Sequence, residues 1–112
     1  MFIAMNRFKV LKDQGDAFEQ AWLSRETRLR ELKGFLEFQM LRGPEMTDGT
    51  TLYSSYTRWE SEDDFQDWTK SEQFRKAHSR APGSTPLFAG HPQFEGFEPV
   101  QTLPATPRAD AA

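Results

Sequence analysis

The chain has 112 residues, of which 37% are hydrophobic and 28% charged, and its net charge is −3. This length favours one modest domain, and the interspersed charge argues against a nucleic-acid groove or a membrane-binding face. The sequence has no apolar run of transmembrane length, no signal-peptide pattern and no cysteine. We therefore expect a cytoplasmic protein without disulfides or zinc knuckles. Aromatic residues make up 13% of the chain, which suits dimerisation or the binding of a flat ligand.

The first half of the chain predicts a strand, a helix and a hairpin. Residues 2–10 alternate between two faces, one of them mainly apolar, as expected of a strand. Residues 14–33 carry an apolar stripe at helical spacing, and Gly34 is expected to end that helix. Residues 35–42 and 51–60 alternate as two further strands, and the turn-rich "GPEMTDGT" between them predicts a hairpin. The helical stripe comprises Phe18, Trp22, Arg25, Leu29 and Leu32.

The second half predicts two short helices and a last strand. A capping-box pattern at Ser61 begins a helix that carries Phe65 and Trp68 on one face. Phe65 and Phe74 would lie on opposite sides of one straight helix, so a break is expected before a second helix that begins at Ser71. "APGSTPLFAGHP" is predicted to be a loop, and "QFEGFEPVQ" a fourth strand with a bulge or bend at its central glycine.

The predicted order is β-α-β-β-α-α-β. This order is typical of the α+β ferredoxin-like fold, in which a four-stranded antiparallel sheet carries its helices on one face. We expect a single domain over residues 1–102 and a disordered tail over residues 103–112.

Two polar residues interrupt apolar stripes in the first half of the chain. Asn6 lies among the apolar residues of the first strand, and a buried amide is costly unless it is hydrogen-bonded. It either satisfies a neighbouring backbone group, lies on a strand whose other face is buried, or points at a ligand. Arg25 either covers apolar surface with its stem or pairs with an anionic ligand group at the rim of a pocket.

A third polar residue, His78, shares a helical face with Phe74 and Ala81. A lone histidine there is either a satisfied core residue or a ligand of a metal. One histidine cannot build a zinc site, but it can supply the single axial bond of a heme iron. The other histidine, His91, is expected in a loop beside Pro92 with a structural or incidental role. Asn6, Arg25 and His78 together suit an aromatic-lined pocket for a flat, mostly apolar, iron-bearing dianion.

Four segments carry a resemblance to a known family: "MNRFKV", "GFLEFQMLRGPE", "YTRWES" and "FQDWTKSEQFRKAH". They resemble the antibiotic biosynthesis monooxygenase (ABM) superfamily and, within it, the IsdG-type heme-degrading branch. The resemblance runs from residue 1 to about residue 101. The similarity to the heme-degrading branch depends on Asn6, Trp68 and His78, which stand at the expected places.

The resemblance implies a homodimer, paired through its sheets into a β-barrel, with a cleft between helices and sheet in each protomer. His78 would be the proximal iron ligand, and Asn6 would hydrogen-bond the oxygen species at the iron. Trp68 would press on the porphyrin, ruffle it and direct oxidation to a meso carbon. Arg25 would lie near the propionates, and Trp22 would occupy a pocket-wall position that is commonly Phe.

The implied activity is that of a heme-degrading monooxygenase for which heme is both cofactor and substrate. The sequence has no flavin or nicotinamide motif, so an external electron donor or reductase is expected. Two alternatives stay open. One is a cofactor-free ABM-type monooxygenase acting on a quinol or a polyketide-like aromatic, and the other is a non-catalytic heme-binding protein. His91 is a competing candidate for the iron ligand.

Overall fold

A computed structural model describes residues 1–24, 29–70 and 87–106 of the chain. Within them, four strands form one antiparallel sheet in the order β2-β3-β1-β4. This arrangement confirms the predicted ferredoxin-like fold. No helix of the described part has the length and apolar character needed to cross a bilayer. The elements are β1 (Phe2–Val10), α1 (Gly15–Leu23), a 3-10 helix (Leu29–Glu31), β2 (Phe35–Glu45), β3 (Thr51–Trp59), α2 (Glu62–Thr69) and β4 (Phe88–Phe97).

The two faces of the sheet differ because side chains alternate along each strand. In β1 four of the five residues of one face are buried, whereas Arg7 and Lys9 of the other face are exposed. The buried face meets the helices, since Phe18 of α1 packs on Phe8 and Phe65 of α2 packs on Phe2. The interpretation in which the opposite face of the first strand is the buried one is therefore wrong.

Two separate apolar clusters lie on the covered face of the sheet. The first, here called the Trp59 cluster, consists of Phe2, Ala4, Leu29, Trp59 and Phe65. The second, here called the Phe18 cluster, consists of Phe8, Val10, Phe18 and Tyr53. Burial of each large apolar side chain contributes about 1.5–3 kcal/mol to the free energy of unfolding. The helices are therefore held on the sheet at two places, and the interval between the two clusters is here called the gap.

The first helix is shorter than predicted. It ends at Leu23, and Leu29–Glu31 form a 3-10 helix, so the expected helix over residues 14–33 is wrong for the described residues after Leu23. Both the backbone N–H and the side-chain hydroxyl of Ser24 donate to the carbonyl of Gln20. A serine that bonds its own helix in this way competes with continuation of the helix.

The last strand begins earlier than predicted and bends elsewhere. β4 includes His91, which the sequence had suggested lies in a loop. The register with β1 shifts between Gln93 and Ala89, where Gly90 adopts a φ of 68°. An edge strand tolerates such a bulge and the proline within it. Gly96, where a bulge or bend was predicted, is instead paired regularly with Ala4, and a Cβ there would come within 2.7 Å of the Phe2 ring.

The second helix follows the prediction. The hydroxyl of Ser61 accepts a hydrogen bond from the backbone N–H of Asp64 at 3.2 Å, as a capping residue does. The helix ends at Thr69, next to the predicted break, and the helix predicted from Ser71 lies outside the described residues. Residues 103–106 have no regular secondary structure, and disorder of the tail stays a prediction.

Among the described glycines, Gly34 is expected to be the one whose substitution destabilises the fold most. Its φ is 78°, and a Cβ would overlap the carboxylate and the Cβ of Asp64, so rotation of the Asp64 side chain would not relieve the clash. We expect Gly34→Ala to lower the free energy of unfolding by about 3 kcal/mol, from left-handed strain and overpacking together.

The matched control is Gly49→Ala, because Gly49 has a φ of 87° and open space around it. This variant should show the backbone strain alone, about 1 kcal/mol. Urea unfolding of both variants measures the difference. Equal losses would mean that the packing of Asp64 on Gly34 contributes nothing.

Candidate functional site

A row of four side chains crosses the sheet between the two apolar clusters. Asn6 of β1 lies opposite Ser55 of β3 on one side and Phe94 of β4 on the other. Met40 of β2 lies opposite Ser55 and completes the row. Along β1 the Trp59 cluster ends at Ala4 and the Phe18 cluster begins with Phe8. The gap between the clusters is therefore floored by an amide and a hydroxyl.

The side chain of Asn6 is half-buried on the covered face. None of the hydrogen bonds found among the described residues involves its amide. A partly exposed amide with no partner among the described residues can hydrogen-bond with water or with a ligand. The interpretation in which Asn6 satisfies a neighbouring backbone group therefore has no support among the described residues, and an amide aimed at a ligand stays a prediction.

Trp68 stands at one side of the gap, in the last turn of α2. It is half-buried and packs against the Trp59 cluster. Its ring stacks on that of Trp59, with centroids 5.6 Å apart and planes at 29°, and lies 6.1 Å from the ring of Phe65.

Trp22 stands at the other side of the gap, on α1. It is half-buried, packs against the Phe18 cluster and meets Phe8 edge-on at 6.1 Å. It also stacks on Phe38 of β2 at 5.8 Å and 19°. Since Phe38 packs against the Trp59 cluster, this stack joins the two clusters at the β2 side and closes that end of the gap.

The opposite end of the gap, toward β4, is bordered by Phe94. Its side chain is 51% exposed, yet its ring stacks on Phe65 at 5.5 Å with nearly parallel planes. Ser55, Phe38 and Phe94 are further candidate site residues that the sequence patterns did not single out. The alternation within β2, β3 and β4 was the available signal, because it places all three on the face that carries Asn6.

The structure therefore brings three of the predicted site residues, Asn6, Trp22 and Trp68, to one side of the sheet. Arg25 and His78 lie outside the described residues. His91 is exposed in β4. Across the described ranges, no group of three or more acidic or histidine side chains is placed to hold a metal ion. The described residues thus place aromatic side chains on both sides of a polar floor, an arrangement here called the recess.

A hydrogen-bonded pair anchors α1 beside this recess. The hydroxyl of Tyr53, which is buried in β3, donates to Oε2 of Glu19, and Nη1 of Arg42 lies 3.5 Å from the same oxygen. Burial, and then the hydrogen bond to Glu19, raise the pKa of the Tyr53 hydroxyl to about 12. Glu19 stands three positions before Trp22, so the bond to Tyr53 also fixes the helix that carries this pocket wall.

The raised pKa of Tyr53 predicts a loss of stability at high pH. The native hydroxyl keeps its proton up to about pH 12, whereas the unfolded one releases it near 10, so the native state binds more protons between these values. The stabilisation that the protonated Tyr53 hydroxyl gives the native state is complete below pH 10 and is lost as the pH rises to 12. The free energy of unfolding should fall by on the order of 2 kcal/mol over this range.

The measurement is urea unfolding from pH 9 to 12 for the wild type and Tyr53→Phe. The difference in stability between the two proteins should shrink across this range. Tyr56→Phe, on the other face of the same strand, is the matched control for loss of a phenol. A difference that stays constant up to pH 12 would contradict the prediction.

Comparison with known proteins gives three findings. A family model described as antibiotic biosynthesis monooxygenase matches residues 1–80. A heme-degrading monooxygenase of Halalkalibacterium halodurans is 32% identical over 83 residues, which cover 71% of this chain and 67% of the relative. The solved structure of the heme-degrader MhuD from Mycobacterium tuberculosis, with two hemes bound in its active site, matches with a TM-score of 0.71 and 27% identity. It covers 93% of this chain and 100% of MhuD.

The same fold occurs in an oxygenase that needs no cofactor. SnoaB, a cofactor-independent oxygenase from Streptomyces nogalater, matches with a TM-score of 0.67 and 21% identity over 93% of this chain and 97% of its own. At this identity the likeness concerns the fold alone. The comparisons together confirm the resemblance that the sequence motifs carried.

Proposed function

The chain belongs to the antibiotic biosynthesis monooxygenase family, a family of oxidoreductases, and on this premise we propose that it is a heme-degrading monooxygenase. It would open the porphyrin ring with O2 and electrons from an external donor and release the iron. Support comes from curated relatives of about one-third identity that carry this activity. Further support comes from the aromatic and polar side chains of the recess.

The observation that carries the proposal is the half-buried Asn6 amide between two aromatic clusters. A porphyrin is flat and largely apolar, so it suits a recess walled by the rings of Trp22 and Trp68. An amide at the floor can donate a hydrogen bond to a polar group at the centre of the bound ring. The described residues therefore fit heme, and they fit a bulky polar substrate less well.

Within this proposal each site residue has one task. Bound heme would supply both the iron that activates O2 and the ring that is oxidised. Asn6 would present a hydrogen-bond donor to the reacting side of the ring, and Trp68 would press on the porphyrin and select the carbon that is attacked. Trp22 would form the opposite wall. Arg25 would pair with the propionates, and His78 would supply the imidazole that holds the iron.

We also propose that the protein is a homodimer. The face of the sheet away from the helices carries a shallow groove of about 290 Å³, whose apolar lining includes Met5, Leu41, Leu52 and Phe97. Arg7 and Glu95 also line the groove and form an ion pair at 2.9 Å. Pairing of two such faces would bury the apolar lining, and sedimentation analysis tests this. The external electron donor and the cytoplasmic location stay predictions from the sequence.

The test of the proposed function is a heme titration of the purified protein, followed by ascorbate in air. We expect a saturable Soret band that disappears with reductant and O2 but persists without O2. A cofactor-free monooxygenase would give no saturable band and would instead oxidise an added quinol. A heme carrier would give the band without its disappearance. Either of these two results would contradict heme degradation.

A further inference from the structure

Trp59 is the most completely buried large side chain of the described fold, and its indole ring packs against that of Trp68. It is 0% exposed, and its ring stacks on Trp68 at 5.6 Å and 29°. Trp68 itself stands in the last turn of α2, which ends at Thr69. The last turn of a helix is held by fewer backbone hydrogen bonds than its middle. The plane of the Trp68 ring therefore depends on what it packs against.

A chain of hydrogen bonds fixes the orientation of Trp59. Its Nε1–H donates to Oγ1 of Thr57 at 2.9 Å, and the Thr57 hydroxyl donates in turn to the carbonyl of Ala4 at 3.3 Å. Thr57 lies directly opposite Ala4 in the pairing of β3 with β1. The torsion that orients an indole ring is otherwise broad. The bond from Nε1 selects one of the possible ring orientations.

The far end of this chain lies on the strand that carries Asn6. Ala4 precedes Asn6 by two positions, and both residues point to the covered face. The stack and the two hydrogen bonds therefore connect the ring of Trp68 to β1 through buried atoms. The Trp68 ring and the Asn6 amide, which are proposed to act on the porphyrin, are thus both held in position by β1.

We propose that Thr57 and Trp59 are positioning residues, which fix the plane of the Trp68 ring and thereby select the meso carbon at which heme is oxidised. The proposal rests on the proposed function for its second half. Its first half concerns the protein without heme and is testable independently. Neither residue is expected to touch the substrate.

The test compares Thr57→Val, which removes the hydroxyl and keeps the shape, with Thr57→Ser, which keeps the hydroxyl. Circular dichroism of the heme-free protein detects the coupling between the stacked indoles, and Trp68→Phe identifies that signal. We expect Thr57→Val to lose at least half of the signal and Thr57→Ser to retain it. Thr51→Val, the same change at the other end of β3, is the matched control and should alter nothing.

The second readout is the distribution of ring-opened isomers after complete reaction with heme. Thr57→Val should spread the products over more meso positions, with heme affinity changed less than threefold, and Thr57→Ser should restore the wild-type distribution. An unchanged indole signal in Thr57→Val would overturn the proposal. So would a lost signal with an unchanged product distribution, because Thr57 would then have only a structural role. Failure of the wild type to degrade heme would instead refute the proposed function, while the indole signal would still decide whether Thr57 fixes Trp68.

Discussion

Asn6→Ala is expected to lower the rate of heme degradation by about 100-fold, the usual scale for loss of one preorganised hydrogen-bond donor in an active site. The fold should tolerate the change, because no hydrogen bond among the described residues uses this amide. Removal of an amide without a protein partner costs little stability. The rate of Soret loss at saturating heme, under ascorbate and air, measures the effect.

Two further variants sharpen this prediction. Asn6→Asp keeps the shape and loses the N–H donor, so it should be as slow as Asn6→Ala. Gln20→Ala removes an exposed amide from α1 and should leave the rate unchanged. An Asn6→Ala protein that binds and degrades heme at the wild-type rate would contradict the role of the amide and would favour a different reacting side of the ring.

His78→Ala should weaken heme binding at least tenfold, which corresponds to about 1.4 kcal/mol. The reason is loss of the single imidazole that the resemblance assigns to the iron. The chain has two histidines, so His91→Ala is the natural control and should bind heme as the wild type does. The measurement is the Soret titration of both variants, repeated with added imidazole, which should restore the wild-type spectrum of His78→Ala.

The opposite pattern would reassign the ligand without removing the function. If His91→Ala loses the band and His78→Ala keeps it, the iron is held from β4. If both variants bind normally, histidine ligation is wrong.

The strands were largely predictable because their alternation is strong and local. Phe2, Ala4, Phe8 and Val10 mark the covered face of β1 in the sequence, and their burial confirms it. The cap at Ser61 and the end of α2 beside Lys70 were predictable from capping chemistry and helical phase. In these cases the signal lies within one element and needs no knowledge of its neighbours.

The errors arose where tertiary contacts decide the local structure. The apolar stripe of residues 14–33 is continuous in sequence, but Phe18 and Leu29 belong to different clusters, and α1 ends between them. Gly96 was expected to mark a bulge or bend, yet it pairs regularly with Ala4, and a Cβ there would come within 2.7 Å of the Phe2 ring. The bulge lies instead near Gly90, in a segment whose prolines and glycines made it resemble a loop.

The candidate site was predictable in part. Asn6, Trp22 and Trp68 were proposed as site residues because each is a polar or large aromatic residue in a regular stripe or a family motif. Ser55 and Phe94 were missed, because only the register of three strands places them beside Asn6. A row across a sheet joins residues that are distant in sequence, so the pattern within one segment does not predict which residues share it.

The most direct test of heme degradation by this protein is capture of iron during a single turnover. The protein is loaded with one heme and mixed with ascorbate in air, in the presence of catalase and a ferrous chelator. We predict loss of the Soret band with about one chelated iron per heme, since ring opening frees the metal. Iron that stays in an intact porphyrin, or a Soret loss that catalase prevents, would contradict an enzymatic ring opening and would leave heme binding as the activity of this fold.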